Sequence, residues 1–328
     1  MKIAVIDNDK ITVKNVDNLK LEGQRGAIVK VLGCGLCGSD IVKFVHKISK
    51  NGTVLGHEIV AEIVDINSDS DFKIGDEIVT SHHIPCGECD YCKHGNVSMC
   101  NHFKSTNIKP GGFSEFVYLS EEHLKNVAHL KPKNLNDVEA SFYEPLGCIV
   151  RAIKRSDLIQ NDTAMVVGLG SIGILTAQAL KAYGYNVIGC DLINERIEFL
   201  KSLDIEAYDV RELPEDFKAH GIFMTSGADK AIDTALKFVR NGGKILVFSS
   251  TPSDTAAYPN NEIYYRELTV LGSYSPSPDD LRDSLDLLKE GKVKVTGIST
   301  EYSLEDIDKA FKDTMANKIM KAYIKIKE

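Results

Sequence analysis

The sequence predicts an α/β protein of two domains, a strand-rich domain followed by a doubly wound parallel sheet. The chain has 328 residues, which is enough for two domains of ordinary size. Up to about residue 135, short segments rich in Val and Ile are separated by turns, which indicates strands. After Asn136 apolar segments alternate with amphipathic helical segments. That alternation is typical of a parallel sheet with helices on both faces.

The first domain is predicted to contain strands over Gly26–Leu32, Val54–Ile66 and Glu77–Thr80. These segments are rich in β-branched residues, and the Gly75-Asp76 turn precedes the third of them. A helical pattern over Asp137–Arg155 then leads into the second domain.

The second domain is predicted to hold six strands with helices between them. The strands are expected at Thr163–Val167, Asn186–Cys190, Ile205–Tyr208, Gly221–Met224, Gly243–Phe248 and Leu268–Leu271. The helices are expected at Ile172–Tyr183, Asn194–Leu203 and Asp229–Val239, and the tail adds helices at Pro278–Glu290 and Leu304–Met315 and a strand at Ile319–Ile326. We expect the tail to return to the first domain. The predicted domains are therefore residues 1–147 with 275–328, and residues 148–274.

The composition excludes several classes of protein. Hydrophobic residues make up 43% and charged residues 26%, which is ordinary for a folded globular chain. The net charge of −8 and a pI near 5.7 argue against a nucleic-acid or anionic-membrane partner. No apolar run approaches the roughly 18 residues that span a bilayer. Asp7 is too close to the N-terminus for a signal peptide, so we expect a cytoplasmic protein.

A glycine-rich motif after the first strand of the second domain predicts a dinucleotide-binding site. Its residues are Gly168, Gly170, Ser171, Ile172 and Gly173. Glycines there allow a tight turn, close approach of the backbone to a pyrophosphate and close packing of helix on strand. Asp191 ends the next strand, where a carboxylate accepts the ribose hydroxyls and repels a 2′-phosphate. The nearest basic residue, Arg196, is expected further along the following helix, so NAD is favoured over NADP.

Four of the eight cysteines lie within fifteen residues, which predicts a metal site. They are Cys86, Cys89, Cys92 and Cys100. In a reducing compartment such a cluster binds metal rather than forming disulfides. Four thiolates enclose one tetrahedral Zn²⁺ with no open position, so the metal is expected to be structural. Four-cysteine knuckles also occur in nucleic-acid binders, but here the neighbouring Glu88 and Asp90 are acidic.

A second set of metal ligands is spread along the strand-rich domain. The segments Cys-Gly-Ser-Asp at 37–40 and Gly-His-Glu at 56–58 supply a thiolate in Cys37 and an imidazole in His57. The candidate third ligand is Glu144, while Glu58 is either a fourth ligand or an acid beside the site. A catalytic zinc takes three protein ligands and keeps one position for water or a substrate oxygen. The set therefore predicts a catalytic zinc.

The order of these motifs resembles the zinc-dependent medium-chain alcohol dehydrogenase superfamily over essentially the whole chain. The resemblance extends to the Gly75-Asp76 turn and to the Pro110-Gly111-Gly112-Phe113 segment. It implies a GroES-like β-rich catalytic domain and a Rossmann dinucleotide-binding domain. With Glu144 at the third-ligand position, the chain resembles the polyol (sorbitol-type) and threonine dehydrogenase branch, whereas other alcohol dehydrogenases carry a Cys at that position.

The resemblance also implies roles for the site residues. Cys37, His57 and Glu144 would hold the catalytic zinc, with Glu58 as a fourth or exchanging ligand. Ser39 would take the proton of the substrate hydroxyl while hydride passes to the nicotinamide. The four clustered cysteines would hold the structural zinc, which makes two zinc ions per chain. Family dimers pair the sixth sheet strand across a two-fold axis, so a homodimer or homotetramer is expected.

Several residues near the substrate are less well defined. Relatives carry a His five residues beyond the ligand Cys, where this chain has Val42, and His46 follows four residues later. His82 and His83 lie in a stretch that lines the substrate cleft in relatives, and threonine dehydrogenases have a His that matches His83. These two histidines either bind substrate hydroxyls or pack under the four-cysteine cluster. Tyr274 follows the sixth strand, where relatives approach the nicotinamide or the substrate.

The sequence thus predicts an NAD- and zinc-dependent secondary-alcohol dehydrogenase whose small-molecule substrate is a polyol, a cyclitol or a related sugar alcohol. A threonine-type amino-alcohol dehydrogenase is the alternative that Glu144 and His83 also fit, although no clear partner for a substrate carboxylate and ammonium is evident. A different class is a sensor or scaffold that binds NAD and zinc without turnover. The open coordination position of the catalytic metal site argues against that class, because a scaffold does not need a metal that can bind substrate.

Overall fold

The chain folds into two units, each built on its own sheet. The structure is a computed structural model that describes residues 1–228, 230–249 and 257–326. The first unit comprises Met1–Pro145, Ser277–Lys289 and Val295–Glu328, and the second comprises Leu146–Pro276 and Glu290–Lys294. The first unit is thus discontinuous in sequence, because the tail returns to it.

The strands in chain order are β1 (Lys2–Asp7), β2 (Lys10–Asn15), β3 (Gly26–Gly35), β4 (Glu58–Asn67), β5 (Glu77–Thr80), β6 (Phe116–Ser120), β7 (Ala128–Leu130), β8 (Thr163–Val167), β9 (Asn186–Asp191), β10 (Glu206–Asp209), β11 (Ala219–Met224), β12 (Val239–Val247), β13 (Thr269–Gly272), β14 (Ser299–Ser303) and β15 (Lys321–Lys325). The α-helices are α1 (Gly38–Val45), α2 (Asp90–Lys93), α3 (Asn101–Ser105), α4 (Glu121–Asn126), α5 (Asp137–Ala140), α6 (Tyr143–Ser156), α7 (Ser171–Ala182), α8 (Asn194–Lys201), α9 (Ala231–Phe238), α10 (Asn260–Tyr265), α11 (Pro278–Lys289) and α12 (Ile307–Met315). Among the described helices, none combines the length and the apolar composition needed to cross a membrane.

The described part of the first unit contains a mainly antiparallel sheet in the order β14-β15-β3-β4-β5-β7, with β6 also paired to β3. The long strand β3 is central because it pairs with β4, β6 and β15. Buried side chains such as Val29, Ile63, Phe113 and Phe311 form the core of this unit. This arrangement brings the end of β3 and the start of β15 to the start of β4.

The described part of the second unit contains a parallel sheet in the order β10-β9-β8-β11-β12-β13. The order reverses direction at β8, which is the strand that leads into the glycine-rich motif. Met165, Ile222, Phe238 and Ile245 lie in the buried core of the unit. This topology confirms the predicted doubly wound parallel sheet, whose ligand site is expected at the carboxyl end of β8.

The structure differs from the predicted elements in several places, among them the following three. The strand expected from Val54 begins only at Glu58, because Gly56 adopts a positive φ of +88° that interrupts the extended backbone. The helix expected over residues 137–155 is divided into α5 and α6, and Pro145 fits the first turn of α6 because proline lacks the N–H of a helix interior. The helix expected from Asp229 begins at Ala231, and Asp229 itself lies outside the described residues.

A short stretch of the tail packs with the second unit, although it was expected to belong with the first. Residues 290–294 follow α11, and the side chain of Gln178 exchanges hydrogen bonds with the backbone of Lys294. The two bonds measure 2.9 and 2.8 Å. This pairing with α7 fixes the stretch in the second unit.

Candidate active site

Three candidate metal ligands from two segments of the first unit lie together. Cys37 directly precedes α1, His57 directly precedes β4 and Glu58 begins β4. Antiparallel pairing sets Gly35 of β3 opposite Glu58, which brings residue 37 to the start of β4. One ligand atom from each of the three side chains therefore lies within 4.8 Å of the others.

Asp40 is a buried carboxylate that orients His57, a role that we did not predict from the sequence. Its Oδ1 lies 3.5 Å from His57 Nδ1, which leaves Nε2 for a metal. The backbone N–H groups of Cys37 and Gly56 also donate to this carboxylate. Burial raises the pKa of Asp40, but the charge and hydrogen bond of His57 outweigh burial and lower it. A carboxylate held in this way fixes the tautomer and the ring orientation of a metal-binding histidine.

Lys321 is a buried cation within the same site, and no sequence signal pointed to it. It begins β15, its Nζ lies 2.5 Å from Glu58 Oε2, and it is 4% exposed. It also donates to the backbone oxygen of Leu36. Burial lowers the pKa of Lys321, but the charges of Glu58 and Cys37 raise it further, so the ammonium stays charged.

The donor set fits a zinc ion. Glu58 is 1% exposed, and within the described residues neither of its oxygens has a hydrogen bond of good geometry. A buried carboxylate with unused lone pairs is unfavourable unless cations balance it. Thiolate, imidazole and carboxylate are the ligand types that zinc takes in open catalytic sites. The arrangement is therefore suited to a divalent metal that shares Glu58 with Lys321.

Glu144 lies near this group but outside it. It occupies the first turn of α6, is 3% exposed, and acts electrostatically on Lys321. In the described part of the chain, the set of ligand atoms within 4.8 Å of one another contains Glu58 and not Glu144. The structure thus places Glu58 within reach of a metal held by Cys37 and His57, in line with its expected role as a fourth or exchanging ligand. The ligand role of Glu144 stays a prediction.

The residues expected to move a proton lie along α1. Ser39 is half-buried in its first turn, two residues after Cys37. Val42 is half-buried in the next turn, and His46 is exposed at the C-terminal cap. The helix α1 therefore extends from the candidate metal site to the surface. The residue at its middle is Val42, whose side chain carries no titratable group.

His82 and His83 pack beside His57. The His82 ring centroid lies 4.4 Å from that of His57 and 3.9 Å from that of His83. Burial lowers the pKa of His82 well below its usual value and that of His83 to about 4, so both rings are neutral at pH 7. The Nδ1 of His83 contacts the backbone oxygen of Thr106. Tyr274, the other tentative substrate residue, is 61% exposed in the second unit.

The four clustered cysteines form a separate lobe with tetrahedral spacing. The Sγ atoms of Cys86 and Cys100 are 3.5 Å apart, those of Cys89 and Cys92 are 3.6 Å apart, and those of Cys86 and Cys92 are 4.0 Å apart. Four sulfurs at about 2.3 Å from one zinc lie about 3.8 Å from each other. The lobe therefore fits a closed Cys₄ zinc site.

The thiol of Cys100 has a lowered pKa, which favours its thiolate form. Burial raises its pKa, but hydrogen bonds from the backbone N–H groups of Cys86 and Phe103 outweigh burial and lower the pKa to about 6. A thiolate is the form that binds metal. Cys100 is thus suited to act as a metal ligand at neutral pH.

The glycine-rich motif has the geometry of a phosphate cradle. Gly168 has a φ of +97°, and a Cβ on Gly173 would lie 1.8 Å from the oxygen of Gly168, so neither position accepts a larger residue. Gly170 directly precedes α7, and a Cβ there would meet nothing within 4 Å. Open space in front of a helix N-terminus suits an anionic pyrophosphate. Ser171 and Ile172 form the first turn of α7.

Asp191 closes the same motif at the end of β9. Its Oδ2 accepts the N–H of Leu169 at 2.6 Å, and its Oδ1 accepts the N–H groups of Leu192 and Ile193. Arg196 was expected to lie further along the helix, but its guanidinium reaches to 3.6 Å from Asp191 Oδ2. Arg196 is the third residue of α8, so it reaches Asp191 from the first turn of that helix. A carboxylate and a guanidinium therefore stand together at the expected ribose position.

Comparisons with known proteins agree with this architecture. The family described as "Alcohol dehydrogenase GroES-like domain" matches residues 23–129, and the family described as "Zinc-binding dehydrogenase" matches residues 171–290. A sorbitol dehydrogenase from Halalkalibacterium halodurans is 31% identical over 88% of this chain and 88% of its own. A D-arabitol-phosphate dehydrogenase from Enterococcus avium is 29% identical over 90% of this chain and 89% of its own.

Among solved structures, galactitol-1-phosphate dehydrogenase from Escherichia coli superposes with a TM-score of 0.87. It is 23% identical and covers 99% of this chain and 100% of its own, which supports the fold. The first family match covers the sheet that positions Cys37 and His57, and the second covers most of the parallel sheet. Together with the relative that is 31% identical, these matches establish that the chain belongs to the zinc-dependent medium-chain alcohol dehydrogenase family.

Proposed function

We propose that the chain is an NAD- and zinc-dependent polyol dehydrogenase that oxidises a secondary alcohol of a polyol, a cyclitol or a sugar alcohol. The observation that carries this proposal is the convergence of Cys37, His57 and Glu58, where the buried Glu58 carboxylate pairs with Lys321 through Oε2 and its Oε1 has no hydrogen bond among the described residues. The named activities of the sorbitol and arabitol-phosphate dehydrogenase relatives support the substrate class.

The side chains of the first unit have distinct tasks in this reaction. A zinc ion held by them lowers the pKa of an alcohol oxygen toward neutrality. Cys37 and His57 hold the metal, and either Glu58 or Glu144 completes the set. Asp40 keeps the His57 ring in place, and Lys321 pairs with the Oε2 of Glu58.

Ser39 accepts the hydroxyl proton of the substrate and passes it outward along α1. The negative charges of one thiolate and one carboxylate neutralise a divalent ion, so an uncharged polyol enters a nearly neutral site. Val42 does not titrate, so the proton continues through water from Ser39 to the exposed end of the helix.

The second unit binds the dinucleotide. Gly168, Gly170 and Gly173 with the N-terminus of α7 receive the pyrophosphate, and Asp191 accepts the ribose hydroxyls. NAD is preferred because Asp191 repels a 2′-phosphate and neutralises Arg196, which is otherwise the residue to attract one. Tyr274 is the proposed contact on the nicotinamide or substrate side.

The four-cysteine lobe holds a second, structural zinc. Its sulfur spacing supports this assignment. Four thiolates also fill the coordination sphere of a tetrahedral zinc, so no position is left for a substrate. None of the eight cysteines forms a disulfide, which supports a reducing location such as the cytoplasm. We also propose a homodimer or homotetramer, because β13 ends the parallel sheet with an edge suited to pair with a second copy.

Threonine oxidation is the second candidate, and Glu144 and His83 are its motivation. The His83 ring contacts the backbone oxygen of Thr106 and packs against two neighbouring rings, so it is less available to bind a substrate. For this reason the polyol proposal takes precedence over threonine oxidation. The test is NAD⁺ reduction by zinc-loaded protein with polyols, inositols, sugar-alcohol phosphates and threonine, each repeated with NADP⁺. We expect a polyol or cyclitol signal with NAD⁺ that is absent in Cys37→Ser.

The alternatives give different results in the same assay. A threonine signal without a polyol signal would assign the chain to the amino-alcohol branch. Binding of zinc and NAD⁺ without reduction of NAD⁺ by any of these alcohols would support the sensor or scaffold class instead.

A further inference from the structure

Four aromatic rings form a continuous stack between the two proposed metal sites of the first unit. We call His57, His82, His83 and Phe103 the ring stack. The centroid distances along it are 4.4, 3.9 and 4.8 Å, and successive rings are tilted by 42 to 46°. One end is a ligand of the catalytic site, and the other end lies in α3, which begins directly after Cys100 of the lobe.

The backbone at the middle of the ring stack is held from both sides. The ring of His123 hydrogen-bonds to the backbone oxygen of His82 at 3.1 Å. Thr106, just beyond α3, contacts the His83 ring through its backbone oxygen and accepts the N–H of Ile84 at 2.9 Å on its hydroxyl. The middle rings therefore do not shift freely, and a displacement at one end of the ring stack is transmitted to the other.

The lobe controls the outer end of the ring stack through two of its cysteines. Cys86 follows His83 by three residues, and Cys100 precedes Phe103 by three residues. A metal in the lobe joins these two cysteines and so fixes the distance between the segments that carry His83 and Phe103. Without metal, this link between the two segments is missing, and the spacing of His83 and Phe103 depends on side-chain packing alone.

We propose that the ring stack couples the two metal sites, so that metal in the four-cysteine lobe raises the affinity of the catalytic site for its own metal. His82 and His83 are then positioning residues that hold the His57 ring in its metal-binding orientation by packing, in addition to the contact of its Nδ1 with Asp40. The proposal rests on the two ligand sets given under the proposed function. It adds that the structural metal acts on the catalytic site, and not only on the stability of its own lobe.

Thermodynamic linkage makes this proposal quantitative. If filling the lobe changes the catalytic-site affinity by some factor, filling the catalytic site changes the lobe affinity by the same factor. Coupling of this kind is usually between about 5- and 150-fold. We expect a factor of about ten here, since the contact is continuous but consists of weak ring–ring packing.

The experiment is a competition titration of metal-free, full-length protein with Zn²⁺ against a chromophoric chelator. Cys92→Ser disables the lobe, and Cys37→Ser disables the catalytic site. His83→Ala interrupts the ring stack, while His83→Phe keeps a ring at that position. His102→Ala is the matched control, because His102 is a half-buried residue of α3 that pairs with Glu122 outside the ring stack.

The proposal predicts about tenfold weaker binding at the catalytic site in Cys92→Ser and in His83→Ala, and wild-type binding in His83→Phe and His102→Ala. The two losses should not add in the double variant Cys92→Ser/His83→Ala, because both break the same coupling. The lobe of Cys37→Ser should bind about tenfold more weakly than the lobe of wild type with its catalytic site filled. A merely structural role for His83 would give additive losses.

Two results overturn the proposal. In one, wild type binds two metals but catalytic-site affinity stays within about twofold in both Cys92→Ser and His83→Ala, which rejects the coupling and leaves the proposed function intact. In the other, wild type binds fewer than two metals, which rejects the ligand sets themselves. If Cys92→Ser does not fold, the comparison of His83→Ala with His83→Phe, both with filled lobes, decides the question.

Discussion

The catalytic site contains several buried charged side chains, and each is stabilised by a neighbouring side chain in place of bulk water. Asp40 is paired with His57, and Glu58 is paired with Lys321. In each pair, one atom remains available to a metal. In the first pair it is the Nε2 of His57, and in the second it is a carboxylate oxygen of Glu58. The two pairs therefore contribute to the stability of the folded site.

Replacing Lys321 by Met should destabilise the metal-free protein more than the zinc-loaded protein. Removing one partner of a buried ion pair costs about 3 kcal/mol, because the other charge stays buried alone. Zinc offsets part of this loss by taking the charge of Glu58. The measurement is the free energy of unfolding of Lys321→Met and wild type, with zinc and after chelation.

Lys201→Met is the control for that comparison. Lys201 pairs with Glu198 at the surface, where such a pair contributes less than about 1 kcal/mol, and zinc should not affect its loss. Equal losses for Lys321→Met with and without zinc would contradict the assigned sharing of Glu58.

Ser39→Ala should lower turnover and leave cofactor binding unchanged. The hydroxyl is the proposed acceptor of the substrate proton, and loss of general-base assistance typically costs about 100-fold or more in rate. Steady-state kcat and the NAD⁺ dissociation constant, measured on the same preparation, test this. Comparable losses in both quantities would refute a role in proton transfer.

Asp191→Asn should shift the cofactor preference toward NADP. The amide retains an acceptor for the N–H of Leu169, but it removes the charge that repels a 2′-phosphate and that neutralises Arg196. A new charge-assisted hydrogen bond from Arg196 corresponds to about tenfold in relative kcat/KM. Asp209→Asn, at the end of β10, is the control, and an unchanged ratio in Asp191→Asn would argue against this account of specificity.

At the scale of elements, the pairing of β3 with β4 decides where Glu58 lies. A Cβ on Gly35 would come within 2.0 Å of Glu58 Oε2, so Gly35→Ala must displace the carboxylate. We expect this variant to lose one zinc equivalent per chain while the lobe keeps its own. Metal analysis of the purified variant checks this.

Gly38→Ala is the matched control for Gly35→Ala. Gly38 begins α1, and a Cβ there would meet nothing within 4 Å, so alanine should be tolerated without loss of metal. Full zinc content in Gly35→Ala would mean that Glu58 is not needed to retain the catalytic metal.

Elements with a strong local pattern were predicted well from the sequence, and those without one were missed. β8 and α7 carry a continuous apolar run and a glycine-rich start, and both lie within one residue of their predicted bounds. β14 has the polar sequence Ser-Thr-Glu-Tyr-Ser and was not predicted, because its strand conformation comes from pairing with β15. The long helix expected after Asn136 was divided by tertiary packing that the periodicity did not reveal.

At the scale of the whole molecule, the predictable parts of the candidate site are those whose residues are close in sequence. The four-cysteine lobe and the glycine-rich motif each occupy a single segment, so spacing alone indicates their chemistry. Lys321 reaches the site only because β15 returns from the tail to pair with β3. The contact of His82 with His57 likewise depends on the fold, which is why the sequence left both substrate binding and packing open for these histidines.

The central claim is that zinc held in the first unit enables the chain to oxidise a polyol with NAD⁺. The most direct test is to remove zinc with a chelator, confirm its loss by metal analysis, and follow NAD⁺ reduction with a polyol substrate as zinc is restored. The account predicts that the metal-free protein is inactive and that activity returns with the catalytic zinc equivalent, whereas Cys37→Ser stays inactive throughout. Undiminished NAD⁺ reduction by the metal-free protein would contradict it.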